Sequence, residues 1–425
     1  MNKYQDYQPV QFSWIGDIPS HWKIGKVKQG FDRKKEPSEE KDPVVLSLAR
    51  SGVRIRDISN NEGQLAESYE GYNTVVPGDL LLNPMDLYSG ANCSISRVSG
   101  VISPAYINLR AKEGFDALFY DYYFKYQYWA MAFFAHGKGV SFDNRWTLSM
   151  ETLNNYPIVI PPYDEQVRIA KYLDETCFDI DNAIMEAKKS IEKYKQLKRS
   201  MASKAALSGY PTKHGSMKDS GELWLGEIPA NWDVRRIANL YEESKETGRD
   251  DLPILMVSIN TGISKEEVGD DDRIRKVVRS EDRSSYKIVR PNYLAYNMMR
   301  AWQGGFGAAQ VEGMVSPAYV VARPKVDVDT RYIEAVLRTP NAMEQIRGLS
   351  YGVTDFRRRL YWQYFKNMKV CFPPIIEQIQ IANHIEEESK KIDSLVAEQE
   401  AIIEKMDHYR RAIVFEAVTG KRKVV

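Results

Sequence analysis

The chain contains one unit twice. WIGDIPSHW at Trp14–Trp22 returns as WLGEIPANW at Trp224–Trp232, 210 positions later, with five of nine residues identical. SPAYI at Ser103–Ile107 returns as SPAYV at Ser316–Val320, offset 213. PPYDEQVRIA at Pro161–Ala170 returns as PPIIEQIQIA at Pro373–Ala382, offset 212, and AALSG ending at Gly209 returns as EAVTG ending at Gly420, offset 211. Four matches in order at a nearly constant offset mark a repeat. Its period far exceeds that of a solenoid, so each copy is domain-sized. Weaker matches fill the gaps: Asn83 and Met85 answer Asn297 and Met299, and Gly139-Val140-Ser141 answers Gly352-Val353-Thr354.

Each copy has a mixed first half and a helical second half. Short apolar runs at Pro43–Leu48, Asp79–Leu82 and Ile254–Ile259 are bounded by Gly, Asn and Pro and read as strands. Gly114–Ala135 reads as a helix with ten aromatics between Phe119 and Phe134. Stacking on bases is one use for such rings. The matching stretch, Arg331–Gly348, is nearly free of them, which favours packing.

After Pro161-Pro162, Asp164 is the expected N-cap, with Glu165 in the first turn. Apolar positions then step by four and three through Ile169, Leu173, Cys177, Ile180, Ile184, Ala187, Ile191, Tyr194, Leu197, Met201 and Ala205, a coiled-coil seam that Gly209 stops. The second copy repeats the seam from Ile381 to Ala417, with Gln399 and Arg410 as polar breaks, and stops at Gly420. Neither helix can bury its stripe alone, so each is the other's simplest partner. Charge favours an antiparallel pair. In the first helix Asp164–Glu186 carries −5 and Ala187–Ser208 carries +6; in the second, Ile376–Ala397 carries −3 and Glu398–Thr419 carries −2. Antiparallel pairing sets the most basic half against the more acidic half of its partner.

The expected fold class is therefore α+β: two globular α/β domains alternating with two long helices that pair as an antiparallel coiled coil, in an internal pseudo-two-fold repeat. The boundaries fall at 1–162 for the first domain, 163–209 for the first helix, 210–374 for the second domain, and 375–425 for the second helix and C-terminal tail. This arrangement places the domains at opposite ends of a rod and the two chain termini close together.

Catalytic chemistry is hard to find. The five histidines, His21, His136, His214, His384 and His408, show no metal-ligand spacing or nucleophile motif. No GxxxxGK[ST] loop occurs. IPPYDE at Ile160–Glu165 superficially matches the [NDS]PPY loop of DNA adenine methyltransferases, but Ile160 cannot accept a hydrogen bond from a flipped base. Cys93, Cys177 and Cys371 lie far apart and read as buried thiols. No apolar run reaches the roughly 18 residues of a membrane span. The first residues lack a signal-peptide core, so a cytoplasmic protein without membrane contact is expected. Net charge is +1, so a nucleic-acid site would need a local basic face.

The start motif W-[IL]-G-[DE]-I-P-x-x-W and the helix opening P-P-x-x-E-Q-x-x-I-A, each present twice, resemble the specificity subunit of type I restriction-modification enzymes. The resemblance covers essentially the whole chain. It implies that each globular domain is a target-recognition domain reading one half of a bipartite, asymmetric double-stranded DNA site. The helices would set the gap and dock two methyltransferase (modification) subunits, and through the complex the restriction (motor-nuclease) subunits. It implies no catalysis and no cofactor in this chain: S-adenosylmethionine, ATP and Mg would sit on partner subunits, whose complex would be an adenine methyltransferase and ATP-dependent endonuclease. A two-headed coiled-coil adaptor for proteins, or a stand-alone DNA methyltransferase, are the alternatives.

Base edges and phosphates call for Arg, Lys, Asn or Gln. The candidates are Arg33, Lys34, Lys35, Arg54, Arg56, Lys138 and Arg145 in the first domain. In the second they are Arg273, Arg275, Lys276, Arg300, Gln303, Arg357, Arg358 and Arg359. Arg145 and Arg357–Arg359 follow the shared Gly-Val-[ST] turn and are the strongest of these.

Overall fold

The computed structural model describes residues 3–58, 68–90, 92–139, 146–210, 216–249, 251–259, 262–264, 284–352 and 358–424. The chain divides into two compact units, Met1–Lys188 with Glu400–Val425, and Lys189–Gln399. Compactness thus cuts through both long helices, where the sequence repeat cuts at their ends. Each unit holds one globular domain, part of the helix that follows it and part of the other helix.

The two domains share one topology. The first has a four-stranded antiparallel sheet in the order Phe31–Lys34, Ile107–Ala111, Leu80–Leu82, Cys93–Ile95. The second repeats it with Tyr241–Ser244, Tyr319–Pro324, Leu294–Asn297 and Phe306–Ala308. A hairpin, Leu46–Ala49 with Gly52–Ile55, or Met256–Ser258 with Gly262–Ser264, accompanies each sheet. A further strand pair closes each domain, Lys23–Lys26 with Pro157–Ile160 and Asp233–Arg236 with Lys369–Phe372.

The aromatic stretch is core, as its absence from the second copy suggested. Phe119, Tyr120, Tyr123, Phe124, Tyr128 and Phe133 are buried beneath the sheet. It forms two helices rather than one, Ala117–Trp129 and Ala132–Ala135, because Met131 adopts a left-handed conformation at φ 55°.

The long helices span Tyr163–Ser208 and Ile375–Val418. Asp164 lies inside the first turn rather than at the cap. The chain enters from Pro162, whose carbonyl accepts from Glu165 and Gln166 N–H groups at 2.9 and 3.1 Å. In the first unit the seam residues Ile169 to Ala187 are buried, and Ile191 continues the buried seam in the second. In the first unit Arg410 pairs with Asp181, and the Arg422 guanidinium meets Tyr172 Oη at 3.4 Å. In the second unit Lys198 reaches Asp393 at 2.7 Å, and Tyr210 stacks on His384 at 3.5 Å. In both units position advances on one helix as it retreats on the other, so the pair is antiparallel. Leu197 is the exception in the seam, 54% exposed.

The ends of the chain meet inside the first unit. Tyr7 Oη donates to the Gly420 carbonyl at 3.1 Å, and Lys421 donates to the Asp17 carbonyl. Gly420, at φ 72°, leaves no room for a side chain: a Cβ would stand 2.3 Å from Pro19 Cδ.

The repeated motifs converge on the first turn of each helix. Glu165 Oε2 accepts from Trp22 Nε1 at 2.9 Å and from Tyr4 Oη at 3.0 Å, while Oε1 lies 2.7 Å from His21 Nε2. Burial would raise the Glu165 carboxyl, but these hydrogen bonds outweigh it and hold the carboxyl below its usual range. Gln166, fully buried, accepts from Asp116 N–H at 2.8 Å and donates to the Pro161 and Gly114 carbonyls at 2.9 and 3.2 Å. In the second unit Glu377 accepts from Asn231 at 3.3 Å. Gln378 accepts from Asp329 N–H at 3.0 Å and donates to the Pro373 carbonyl at 2.8 Å.

Gln166→Leu keeps the volume and orphans these partners, so denaturant unfolding of the first unit should lose about 2–3 kcal/mol. A loss below about 0.5 kcal/mol would remove the anchoring role. For Glu165 the sign follows from a depressed folded pKa. Its contribution is complete above the unfolded carboxyl value of about 4.3 and disappears as pH falls through the lower folded value. The melting temperature of the native protein should therefore exceed that of Glu165→Gln at pH 7, and the gap should close on acidification.

Candidate nucleic-acid interface

In the second unit three separated segments meet beside strand Leu294–Asn297. Beyond it Asn297 Oδ1 accepts from Met299 N–H at 2.9 Å, and a single 3₁₀ turn, Ala301–Gln303, ends at Gly304 with φ 88°. Arg300 and Gln303 project to solvent from this turn, 3.4 Å apart. The Leu360 N–H donates to the Met298 carbonyl at 2.9 Å, which fixes Arg358 and Arg359 beside it. Arg358 Nη1 donates to the Arg347 carbonyl at 3.1 Å, and the Arg347 guanidinium lies 5.8 Å from the Trp302 ring centre. Arg359 pairs through its backbone with Tyr351, whose exposed ring stacks on Tyr364 at 4.2 Å. Among the sequence candidates, Arg300, Gln303, Arg358 and Arg359 are thus drawn into one basic patch, joined by Arg347, which the sequence reading did not select.

The first unit builds the same framework. Asn83 Oδ1 accepts from Met85 N–H at 3.0 Å, the Leu148 N–H donates to the Pro84 carbonyl at 2.9 Å, and Lys138 pairs through its backbone with Thr147. Trp146 Nε1 donates to the Phe134 carbonyl at 2.9 Å, and Tyr88, 76% exposed, lies 6.1 Å from the Phe134 ring. Lys138 is exposed here. Arg50, unselected from sequence, comes to the neighbouring turn, its side chain 3.7 Å from where a Gly90 Cβ would stand.

The other candidates lie elsewhere. Arg33 is on the edge strand Phe31–Lys34, Lys34 pairs with Glu36 at 3.3 Å, and Lys35 follows as an exposed residue. Arg54 lies on the hairpin and Arg56 just follows it, with Arg54 Nε 3.4 Å from Ser47 Oγ and the Arg56 N–H bonded to the Val45 carbonyl at 2.8 Å. Arg145, Arg273, Arg275, Lys276 and Arg357 fall outside the described residues.

Behind each patch stands an acid–base pair one helical turn apart. Glu334 accepts from Ala308 N–H at 2.7 Å and from Arg338 at 3.0 Å. Arg338 also donates to the carbonyls of Gly304, Ser258 and Ile259 at 3.1, 3.1 and 2.8 Å. It thereby pins both the hairpin and the Arg300–Gly304 turn. Burial pushes the Glu334 carboxyl up, and the neighbouring guanidinium opposes that shift. Asp121 and Lys125, 2.7 Å apart, hold the corresponding positions in the first unit.

No family model matches the chain. The type I restriction enzyme MjaVIII specificity subunit of Methanocaldococcus jannaschii is 25% identical over 245 residues, 56% of this chain and 50% of that protein. The putative type I restriction enzyme MjaX specificity subunit of the same organism is 24% identical over 252 residues, 53% of this chain and 54% of that protein. The chain is similar to type I specificity subunits. It spans about half the length of the curated relatives it matches. A chain solved in work on complex assembly and conformational transition of the type I R-M system shares the fold. Its TM-score is 0.66 over 94% of this chain and 98% of that one, at 13% identity. The alternation of two mixed domains with two long helices, read from the repeat, is the architecture observed.

Among the described residues no group of His, Cys, Asp or Glu is placed to hold a metal, and no helix is long and apolar enough to cross a membrane. The three cysteines are buried and unpaired.

Arg338→Met should cost about 2–3 kcal/mol in denaturant unfolding, because Glu334 and three carbonyls lose their donor. It should also speed proteolysis at the 300–304 turn. Unfolding and cleavage like those of the native protein would show that the turn stands without Arg338.

Proposed function

We propose that the chain is the DNA sequence-specificity subunit of a type I restriction-modification complex, each domain reading one half of a bipartite asymmetric site. The observation that carries this reading is a framework used twice with different exposed residues. Both turns are fixed by the same asparagine hydrogen bond, and both hold a downstream strand against it. A scaffold held constant under varied side chains suits two readers of different base sequences. The similarity to specificity subunits supports the same conclusion.

In this reading the long helices set the half-site gap and dock two methyltransferase subunits, which bring the restriction subunits into the complex. Apolar side chains left on the helices support docking: Phe178 is 64% exposed in the first unit and Ile376 69% in the second. The subunit itself catalyses nothing. S-adenosylmethionine, ATP and Mg act on its partners.

The test is a footprint of the chain assembled with its methyltransferase subunits, which should protect two short segments separated by an unprotected gap. Replacing Arg357, Arg358 and Arg359 by alanine should weaken binding and reduce the slope of log affinity against log salt by up to about 3, near 0.9 for each lost phosphate contact. A single continuous footprint, or none, would overturn the assignment.

A further inference from the structure

The two patches can be compared position by position, because the same hydrogen bonds frame both. Asp86 stands where the second copy has Arg300, and Tyr88 where it has Trp302, each three or five residues past the framing asparagine. Phe134 corresponds to Arg347: the first lies against the Tyr88 ring and the second over the Trp302 ring. Trp146 corresponds to Arg358: each donates a side-chain hydrogen bond to the carbonyl of that preceding residue, at 2.9 and 3.1 Å.

The chemistry at these positions is opposed. Three arginines in the second copy face one aspartate and two aromatic rings in the first. Asp86 turns inward, accepting from Ser89 N–H at 3.0 Å and Asn92 Nδ2 at 2.9 Å, so its charge is held by its own turn. Burial would raise its carboxyl, but these bonds keep it below the usual range. The Tyr88 ring remains 76% exposed. In the second copy the corresponding Trp302 is half-buried with a guanidinium over it, while Arg300 is exposed.

In a duplex an aromatic ring meets base edges, such as the thymine methyl, and a contact of this kind releases no counterions. A guanidinium presents a rigid fork that matches guanine O6 and N7, and releases counterions as it binds. We propose that the two domains read their half-sites from the same turn by different chemistry: the first by ring contact through Tyr88, and the second by hydrogen bonding of Arg300, two places earlier on the turn, to guanine. This rests on the assignment of both domains as DNA readers. The second half-site then contains a guanine at the position Arg300 contacts, and the first depends on a base that meets an aromatic ring.

The experiment uses the chain assembled with its methyltransferase subunits. It measures affinity against salt and the sequence of methylated sites. Tyr88 and Arg300 are both exposed, so replacing either leaves the core intact. Tyr88→Ala should weaken binding to the native site by up to about 5- to 150-fold, the cost of losing one base-pair contact, with an unchanged salt slope, and relax base choice only in the first half-site. Tyr88→Phe should retain binding. Arg300→Ala should lower the salt slope by about 0.9 and relax one guanine in the second half-site. Arg300→Lys should keep the slope yet still relax that guanine, since a point charge cannot form the fork.

If Arg300→Lys keeps both slope and guanine, Arg300 is a phosphate contact and the inference fails. It also fails if Tyr88→Ala shifts the slope or alters the second half-site. A native complex with no sequence-specific DNA binding would remove the reader assignment itself, and the inference with it.

Discussion

A buried glutamine in the first turn of each long helix is the joint on which the rest of the fold depends. Gln166 accepts from the backbone at the start of the domain helix and donates to the chain that enters its own helix. Gln378 repeats both bonds through Asp329 and Pro373. A glutamine amide both donates and accepts, so one side chain satisfies groups that burial would otherwise leave unpaired. The glutamate before it draws in the tryptophan motif from the start of the domain. Domain entry, domain helix and long helix therefore share one anchor, and the direction in which the long helix leaves the domain is fixed there.

This explains which parts of the structure were legible in the sequence. Motifs that recur after some 210 residues do so because they form that joint, and the recurrence exposed them without any knowledge of their contacts. The helical seam was legible because burial imposes a period, and Ile169 to Ile191 obey it. The pairs Asp121–Lys125 and Glu334–Arg338 were not legible. An acid and a base four apart on a helix normally describe a solvated face, and only the fold turns this face toward the sheet. The same limit applies to the patches. Arg347 and Arg50 looked like any surface arginine until the chain brought Trp302 and Gly90 beside them. Arg33–Lys35, as dense a basic run as Arg357–Arg359, starts on an edge strand, because sequence clustering says nothing about which turn a strand adjoins.

The helix pairing shows how weak signals combine. The ion pairs Lys198–Asp393 and Arg410–Asp181 join the helices within their respective units, but their acids are more than half exposed. Such pairs contribute about 0–1 kcal/mol each. They cannot hold the helices together. The buried aliphatic seam does that, and it is nearly indifferent to direction. Small charge terms can therefore decide the orientation while contributing little to the strength, which is why regional charge indicated the right pairing. Arg410 shows the same division of labour. It breaks an apolar seam at some cost, and in exchange finds Asp181 in one orientation only.

The patches are separated from this machinery by a layer of backbone hydrogen bonds. Asn83 and Asn297 fold their turns onto themselves, and Leu148 and Leu360 hold the downstream strand through main-chain groups alone. None of these contacts uses the side chains at positions 86, 88, 300 or 303. A substitution at 88, 300 or 303 changes what faces solvent without removing these bonds, whereas Asp86 also accepts from Ser89 and Asn92 within its own turn. The supporting pairs make the same separation from behind: Arg338 holds the Gly304, Ser258 and Ile259 carbonyls, and none of their side chains. Two copies of one scaffold can thus carry an aspartate before the exposed ring in one place and an arginine before a half-buried ring in the other. The divergence of the domains between their shared anchors follows directly from where the hydrogen bonds are spent.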